Sequence, residues 1–479
     1  MIAENHVKLY FRGEGGILMK KLFCAVICAI SIGIQMFLLT PDGFSQEFGY
    51  EFNNVIYEQP AYYQIKKNNL LNARNDILNL DEWNNKLWDK INLNFYYDIL
   101  RLNTQFRPTL FFSEWDSNKT HFYTDEIYLD AHFGKSLFLY AGKRNFVEGV
   151  AFGLHPTDFL GQFKKVDLAL REEERRVQRE GNWLVGGDTF FKNITFSAIY
   201  APHLGTFQDE QNRVLLKGRA LFEPINTDVA LYLYYGDIPG LGMDVSSTVS
   251  KNLVLFTESA LRRGSQRWTI TQTSMATDTA PAMFKFNPPD KDKVYAQAVV
   301  GGSYTFGDGT NLILEYIYNG DGYSGSGWNQ FTDYARYYNG AYNSNYFRDL
   351  AEVSLGRGTS ILQFGEMRKN YAFLRLSNNT SITDLDGQLV VTANLNDGSW
   401  LGYLSIDYSI TKSLIAGIYG MVTFGKKDTE YGMQYANTVG LLIRYFFTIP
   451  NVFKSTEKKQ ARLNEQQSGV PKTNGKEMK

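Results

Sequence analysis

Residues 387–425 read GQLVVTANLNDGSWLGYLSIDYSITKSLIAGIYGMVTFG, and their alternation decides the fold. Gln388, Val390, Thr392 and Asn394 fall on one side of an extended chain, with Leu389, Val391, Ala393 and Leu395 on the other. The next run repeats the arrangement, Leu404, Ile406, Tyr408 and Ile410 opposing Tyr403, Ser405, Asp407 and Ser409. Strand side chains alternate with period 2, so each run presents one apolar and one polar face over about ten residues. Lipid on one side and water on the other is what a transmembrane barrel strand meets. A β-sandwich also alternates, but it turns its polar face to solvent and needs protected sheet edges. Here Tyr97, Tyr316, Tyr318, Tyr408 and Phe447 stand at the ends of apolar faces, where a membrane girdle places aromatics.

The pattern recurs towards the amino terminus. Ile91, Leu93, Phe95 and Tyr97 oppose Lys90, Asn92, Asn94 and Tyr96, and then Leu100, Leu102 and Phe106 oppose Arg101, Asn103, Gln105 and Arg107. No window after residue 39 is apolar enough to cross a membrane as a helix. Alternating segments run from Lys86–Tyr97 to Thr438–Phe447, and an even strand number needs one more, for which Asn69–Leu80 is available. The fold expected is an all-β, antiparallel, up-and-down transmembrane barrel of about 18 strands, with 16 as the rival number. Short turns at Phe191, Glu223, Ser250, Gly307 and Thr411 alternate with long links at 145–181, 263–292 and 320–369. By parity the long links share one side, the outside, and links of that length fold inward or build a vestibule.

Composition agrees. The chain has 31 Tyr, 34 Phe and 42 Gly against 12 Pro, an aromatic load that suits two girdles better than a soluble core. A net charge of −1 leaves no cationic excess for a nucleic-acid partner. Met19, Lys20 and Lys21 precede an apolar run from Leu22 to Leu39, and Ser45 lies near a plausible cleavage point, so residues 1–45 read as an extension and export signal. Both cysteines, Cys24 and Cys28, lie inside it, which leaves the mature chain no thiol for a disulfide or a Cys-ligated cofactor. Residues 46–68 read as a periplasmic segment, 69–447 as the barrel, and 448–479 as a polar periplasmic tail that could meet a partner.

Three stretches carry a family resemblance: GKRNFVEGVAFGLHPTDFL (142–160), LREEERRVQREGNWLVGGDTFF (170–191) and the closing hairpins from Asn396 to Gly425. With Gly142, Lys143, Gly149, Pro156, Thr157, Asp158 and the run Glu172, Glu173, Glu174, Arg175 and Arg176, the chain resembles the alginate-export-like outer-membrane porins. The resemblance implies a bacterial outer-membrane channel of about this strand number. It also implies the company such a barrel keeps: membrane lipid and lipopolysaccharide, the barrel-assembly machinery, and a small hydrophilic solute. An alginate channel would line its lumen heavily with arginine, whereas this inward face is mixed. Arg101, Arg107, Arg144, Lys217, Arg219, Arg262, Arg375 and Arg444 are offset by Glu126, Asp130, Glu258, Glu315 and Asp407. These are the pore-lining candidates, and opposite charges in a lumen form ladders that polarise the pore and tie strands together.

No enzyme motif accompanies the histidines His121, His132, His155 and His203. His132 shares a face with Glu126 and Asp130, but there is no nucleophile elbow, and GYSGSG at Gly322 reads as lacking a strand-to-helix setting. No cofactor is called for. The expected function is a passive channel for small hydrophilic or anionic solutes, saccharides among them, narrowed by inward-folded loops. The alternative is a barrel sheath that holds partner proteins, as in a porin–cytochrome conduit.

Overall fold

A computed structural model describes residues 48–113, 119–161, 170–177, 179–204, 211–277, 280–362, 366–378 and 384–449. The expected signal segment, and the expected tail from residue 450 onwards, lie outside these residues; residues 448 and 449 belong to the last strand. The strands are β1 (Phe48–Ile65), β2 (Trp83–Tyr97), β3 (Leu100–Ser113), β4 (Lys119–Phe133), β5 (Leu137–Arg144), β6 (Asn182–Phe191), β7 (Ile194–Ala201), β8 (Arg213–Phe222), β9 (Thr227–Tyr235) and β10 (Gly240–Thr248). They continue as β11 (Leu253–Arg263), β12 (Thr269–Ser274), β13 (Met283–Asn287), β14 (Val294–Thr305), β15 (Thr310–Asn319), β16 (Asn370–Asn378), β17 (Leu385–Asn394), β18 (Trp400–Thr411), β19 (Leu414–Phe424) and β20 (Ala436–Ile449). Eighteen of them form one antiparallel sheet that closes where β1 pairs with both β2 and β20, while β12 and β13 make a separate hairpin.

The alternation fixes which side of each strand faces out. Leu231, Val300, Leu314, Leu404, Ile418 and Leu441 are exposed on the outer wall, between two aromatic rings. Trp83, Tyr200, Tyr235, Tyr316, Trp400 and Phe424 mark the long-link end, and Phe133, Phe191, Phe222, Phe306, Tyr408 and Phe447 the short-turn end. An apolar band bounded by aromatics is the surface that lipid requires of a barrel.

One strand lies elsewhere than expected. The first barrel strand is β1, not Asn69–Leu80, so residues 46–68 are mostly wall and not a periplasmic segment. The sequence hid this because Asn54, Glu58 and Gln64 interrupt the outward apolar face of β1 with polar groups. Residues 69–80 instead form turns, tied by Asn69, whose side-chain oxygen accepts from Leu71 and Asn72 N–H, and by Asn75, which accepts from Leu80 N–H.

Turns and links separate as parity requires. At the GDGT turn, Phe306 N–H donates to Thr310 O at 2.8 Å, and Gly309 takes φ +88°, the left-handed region a tight hairpin needs. The opposite end carries the long links. Residues 320–369 hold α2 (Gly325–Asn343) and α3 (Arg348–Ile361), which follow the six-residue α1 (Glu172–Val177) of the 145–181 link. These helices were not expected from the alternation. GYSGSG does stand between a strand and a helix: Ser324 is the N-cap of α2, its hydroxyl accepting from Gly327 N–H at 3.1 Å. Its hydroxyl is spent on the cap. Leu70, Leu71, Ile270, Tyr323, Trp328, Phe331, Tyr334, Tyr338, Leu355, Met367 and Met433 share one apolar core. That core draws on several separate links, so they make a single cap over one end of the barrel.

Candidate functional site

The cap leaves the interior to the described parts of the 145–181 link, residues 145–161, 170–177 and 179–181, which run into the barrel and are held there by wall carboxylates. Glu258 on β11 accepts from the Val150 and Ala151 N–H groups, both at 2.9 Å, and from Thr157 N–H at 2.8 Å. Glu315 on β15 takes the next two, Phe152 N–H at 2.7 Å and Gly153 N–H at 2.8 Å. The Thr157 hydroxyl bonds Asp244 on β10 and Glu258, each at 2.9 Å. Backbone donors of an irregular segment need partners once water is removed, and carboxylates bind them with charge-assisted bonds of about 1.5–3 kcal/mol each. Only glycine fits at 149, which sits at φ +95° with a Cβ position 2.5 Å from the Glu258 carboxylate.

Further along, the link meets β18 and β20. Arg171 reaches Asp407 at 3.4 Å, and Arg444 joins Asp407 at 2.6 Å to Glu174 of α1 at 3.1 Å. The Arg175 guanidinium lies 4.8 Å from the Tyr403 ring. Arg179 and Arg176 bind Asp158 at 2.7 and 3.3 Å and fold the link upon itself. Apolar residues complete the fit. Ala151 and Leu170 pack with Tyr57, Trp88, Ile313, Tyr371 and Tyr403, and Phe159 and Leu160 with Ile199, Leu215 and Tyr234. The link is therefore a plug that touches strands on several sides of the lumen.

This changes the role of many expected lining groups. Glu258 and Glu315, expected to take part in charge ladders across the lumen, both accept from plug N–H groups. Arg262 donates to Pro156 O and stacks 4.7 Å from the Phe159 ring, and Arg375 lies 5.6 Å from the Phe152 ring. Lys217 bridges to Glu148 of the plug, which also accepts from the Tyr232 hydroxyl. Asp244 and Tyr232, bonded at 2.6 Å, belong to the same network and were missed by sequence reasoning. Their alternation put them on the inner face, but nothing local marked them as anchors.

A second group of expected residues stays on the inner wall of β2–β6. Arg107 makes a two-bond pair with Asp125, at 2.8 and 2.9 Å, and its guanidinium lies 4.8 Å from the Tyr123 ring. Arg144 lies over Tyr140 and Tyr128, at 4.3 and 5.1 Å. Arg101 is exposed beside Tyr96 at 5.5 Å and stands across from Asp130, which accepts from Asn103 at 2.9 Å. Glu126 accepts from Asn145 N–H at 2.7 Å, where the plug leaves the wall. Arg219 pairs with Asp228 near the short-turn end, at 2.7 Å from Nε. Asp125 was not singled out because a bulge puts it and Glu126 on the same inner face, against the two-residue period.

The comparisons add only a fold. No family model matches the chain, and no curated protein does. Solved structures do. OprD of Pseudomonas aeruginosa is similar over 84% of this chain and 95% of its own, at 9% identity and a TM-score of 0.44. OpdK of the same organism, solved with vanillate, covers 84% and 99% at 7% identity and 0.46. OccAB3 of Acinetobacter baumannii covers 84% and 99% at 9% identity and 0.42. Likeness at this level carries no argument about cargo, and none of these matches is an alginate exporter by name. The function must be argued from the lumen.

His155 sits in the plug, half-buried, and desolvation together with the Arg176 charge pushes it down to about 3, so it is neutral. His132 lies against the Phe138 ring at 4.4 Å. At the cap, burial pushes the Glu430 carboxyl up to about 7, where it accepts from Met367 N–H, the Tyr371 hydroxyl and Asn394.

Proposed function

We propose that the protein is a passive outer-membrane channel for small hydrophilic or anionic solutes, gated by the plug. The observation that carries this reading is the make-up of the lumen: a link whose backbone is bound to Glu258 and Glu315 narrows it, and β3 and β5 hold Arg101, Arg107 and Arg144 beside tyrosines. Arg107 is paired with Asp125, while Arg101 and Arg144 lie over rings, and guanidinium groups on a confined wall lower the barrier for anions. The apolar outer band supports the membrane setting, with lipid and lipopolysaccharide as its surroundings and the barrel-assembly machinery as its route. Nothing in the geometry favours alginate over other anions, and catalysis has no part in this reading.

The test is ion selectivity in planar bilayers under a salt gradient. Replacing Arg101, Arg107 and Arg144 together by Gln should move the reversal potential towards cation preference. An unchanged reversal potential would show that these groups do not face the conducting path.

A further inference from the structure

The outer wall has one departure from its chemistry, at the seam where the barrel closes. On β1 and β2 the outward positions include Asn54, Glu58, Asn85 and Asp89. Asp89 stands midway between Trp83 and Phe95, and Glu58 between Tyr62 and Phe52, so both carboxyls lie within the apolar band and not at its rims. Among the described residues, the outward positions of the other barrel strands hold no carboxyl between the aromatic rings. Ionisable groups facing lipid cost several kcal/mol at the midplane unless they are partnered. The chain partners them only in part. Asn54 donates to Asp89 at 3.1 Å and Asn85 to Glu58 at 3.3 Å, while Asn54 Oδ1, Asn85 Oδ1 and Asp89 Oδ1 have no hydrogen-bond partner.

We propose that this seam is a dimer interface and that a second copy of the chain covers it. The patch is self-complementary. Each Asn side chain has a second N–H beyond the one used within the chain, and unpaired acceptor oxygens stand beside it. A two-fold axis along the membrane normal, passing between β1 and β2, sets β1 of one copy against β2 of the other at the same depth. In the β1–β2 register Asn54 is level with Ile91 and Glu58 with Leu87, so Asp89 and Asn85 stand one same-face position away, and the diagonal pairs made within each chain are repeated across the axis. Closed two-fold dimers are the simplest isologous assembly. Another face of a second copy serves less well, because the described outer wall offers no cation between the rings; Lys143, level with Trp183, is bridged to Glu180.

The test uses the full chain with Cys24→Ser and Cys28→Ser, so that any introduced cysteine is the only one. Leu87, level with Glu58, lies beside the proposed axis, and Leu231 on β9 lies on the far wall. Oxidation in native membranes should link Leu87→Cys into a species of twice the monomer mass and leave Leu231→Cys monomeric. Purified, unlinked protein should run as a dimer, and Glu58→Leu with Asp89→Leu should shift it towards monomer. If that pair fails to assemble, the cross-link on the otherwise native chain decides. A monomer that does not link through Leu87→Cys overturns the proposal. So does a Leu87→Cys adduct with a protein of different mass, which assigns the patch to another membrane partner. Neither result touches the channel reading.

Discussion

Glu258 and Gly149 form the contact on which the plug depends. Glu258→Ala leaves the N–H groups of Val150, Ala151 and Thr157 without their acceptor, and a buried unsatisfied donor costs about 1–3 kcal/mol. The variant should keep its barrel, seen as unchanged heat-modifiable migration, and lose plug protection in hydrogen exchange at 150–157. Gly149→Val should act the same way, since its side chain would meet the Glu258 carboxylate. On the outer wall, Leu404→Arg should cut assembled protein, since a midplane charge there costs about 2–4 kcal/mol. Sequence alternation told inside from outside at Leu404 and Ser405. It could not tell that Ser405 lies under packed side chains at 4% exposure, because the filling comes from distant residues.

The strands were legible one by one, since each carries its own period, and so were the turns, where Gly309 or Asn226 supplies positive φ. The first strand was not, because its outward face is broken by the polar groups that make the seam. The plug was legible only as a long link; its docking depends on contacts between residues about a hundred positions apart, such as Thr157 with Glu258. The plug has a pH response of its own. His155 is neutral when docked, its value held near about 3 against an ordinary 6.5, so below about 6.5 the undocked plug binds more protons. Docking should weaken as pH falls through that range. Bilayer recordings should show more frequent opening at about pH 5 than at about pH 7.5, and His155→Gln should shrink the difference. An equal response in the variant would place the sensitivity elsewhere. Glu430 acts oppositely on the cap: its raised value means cap stability declines as pH rises from about 4.5 towards about 7, and Glu430→Gln should remove that decline in limited proteolysis of the 425–435 link.

At the scale of the whole molecule, an 18-stranded wall is wide enough for an aqueous lumen, and its interior is narrowed by one link and covered by others. The reading of a gated channel and the reading of a sheath for partner proteins differ in what happens when the plug goes. A sheath needs a partner to fill the vacated space, whereas a channel conducts. Single-channel conductance of the purified barrel, with and without residues 147–176, tests this most directly. The channel account predicts small or rare conductance in the native chain and large, steady conductance once the plug is replaced by a short linker. A correctly assembled barrel that conducts neither before nor after the deletion would contradict it.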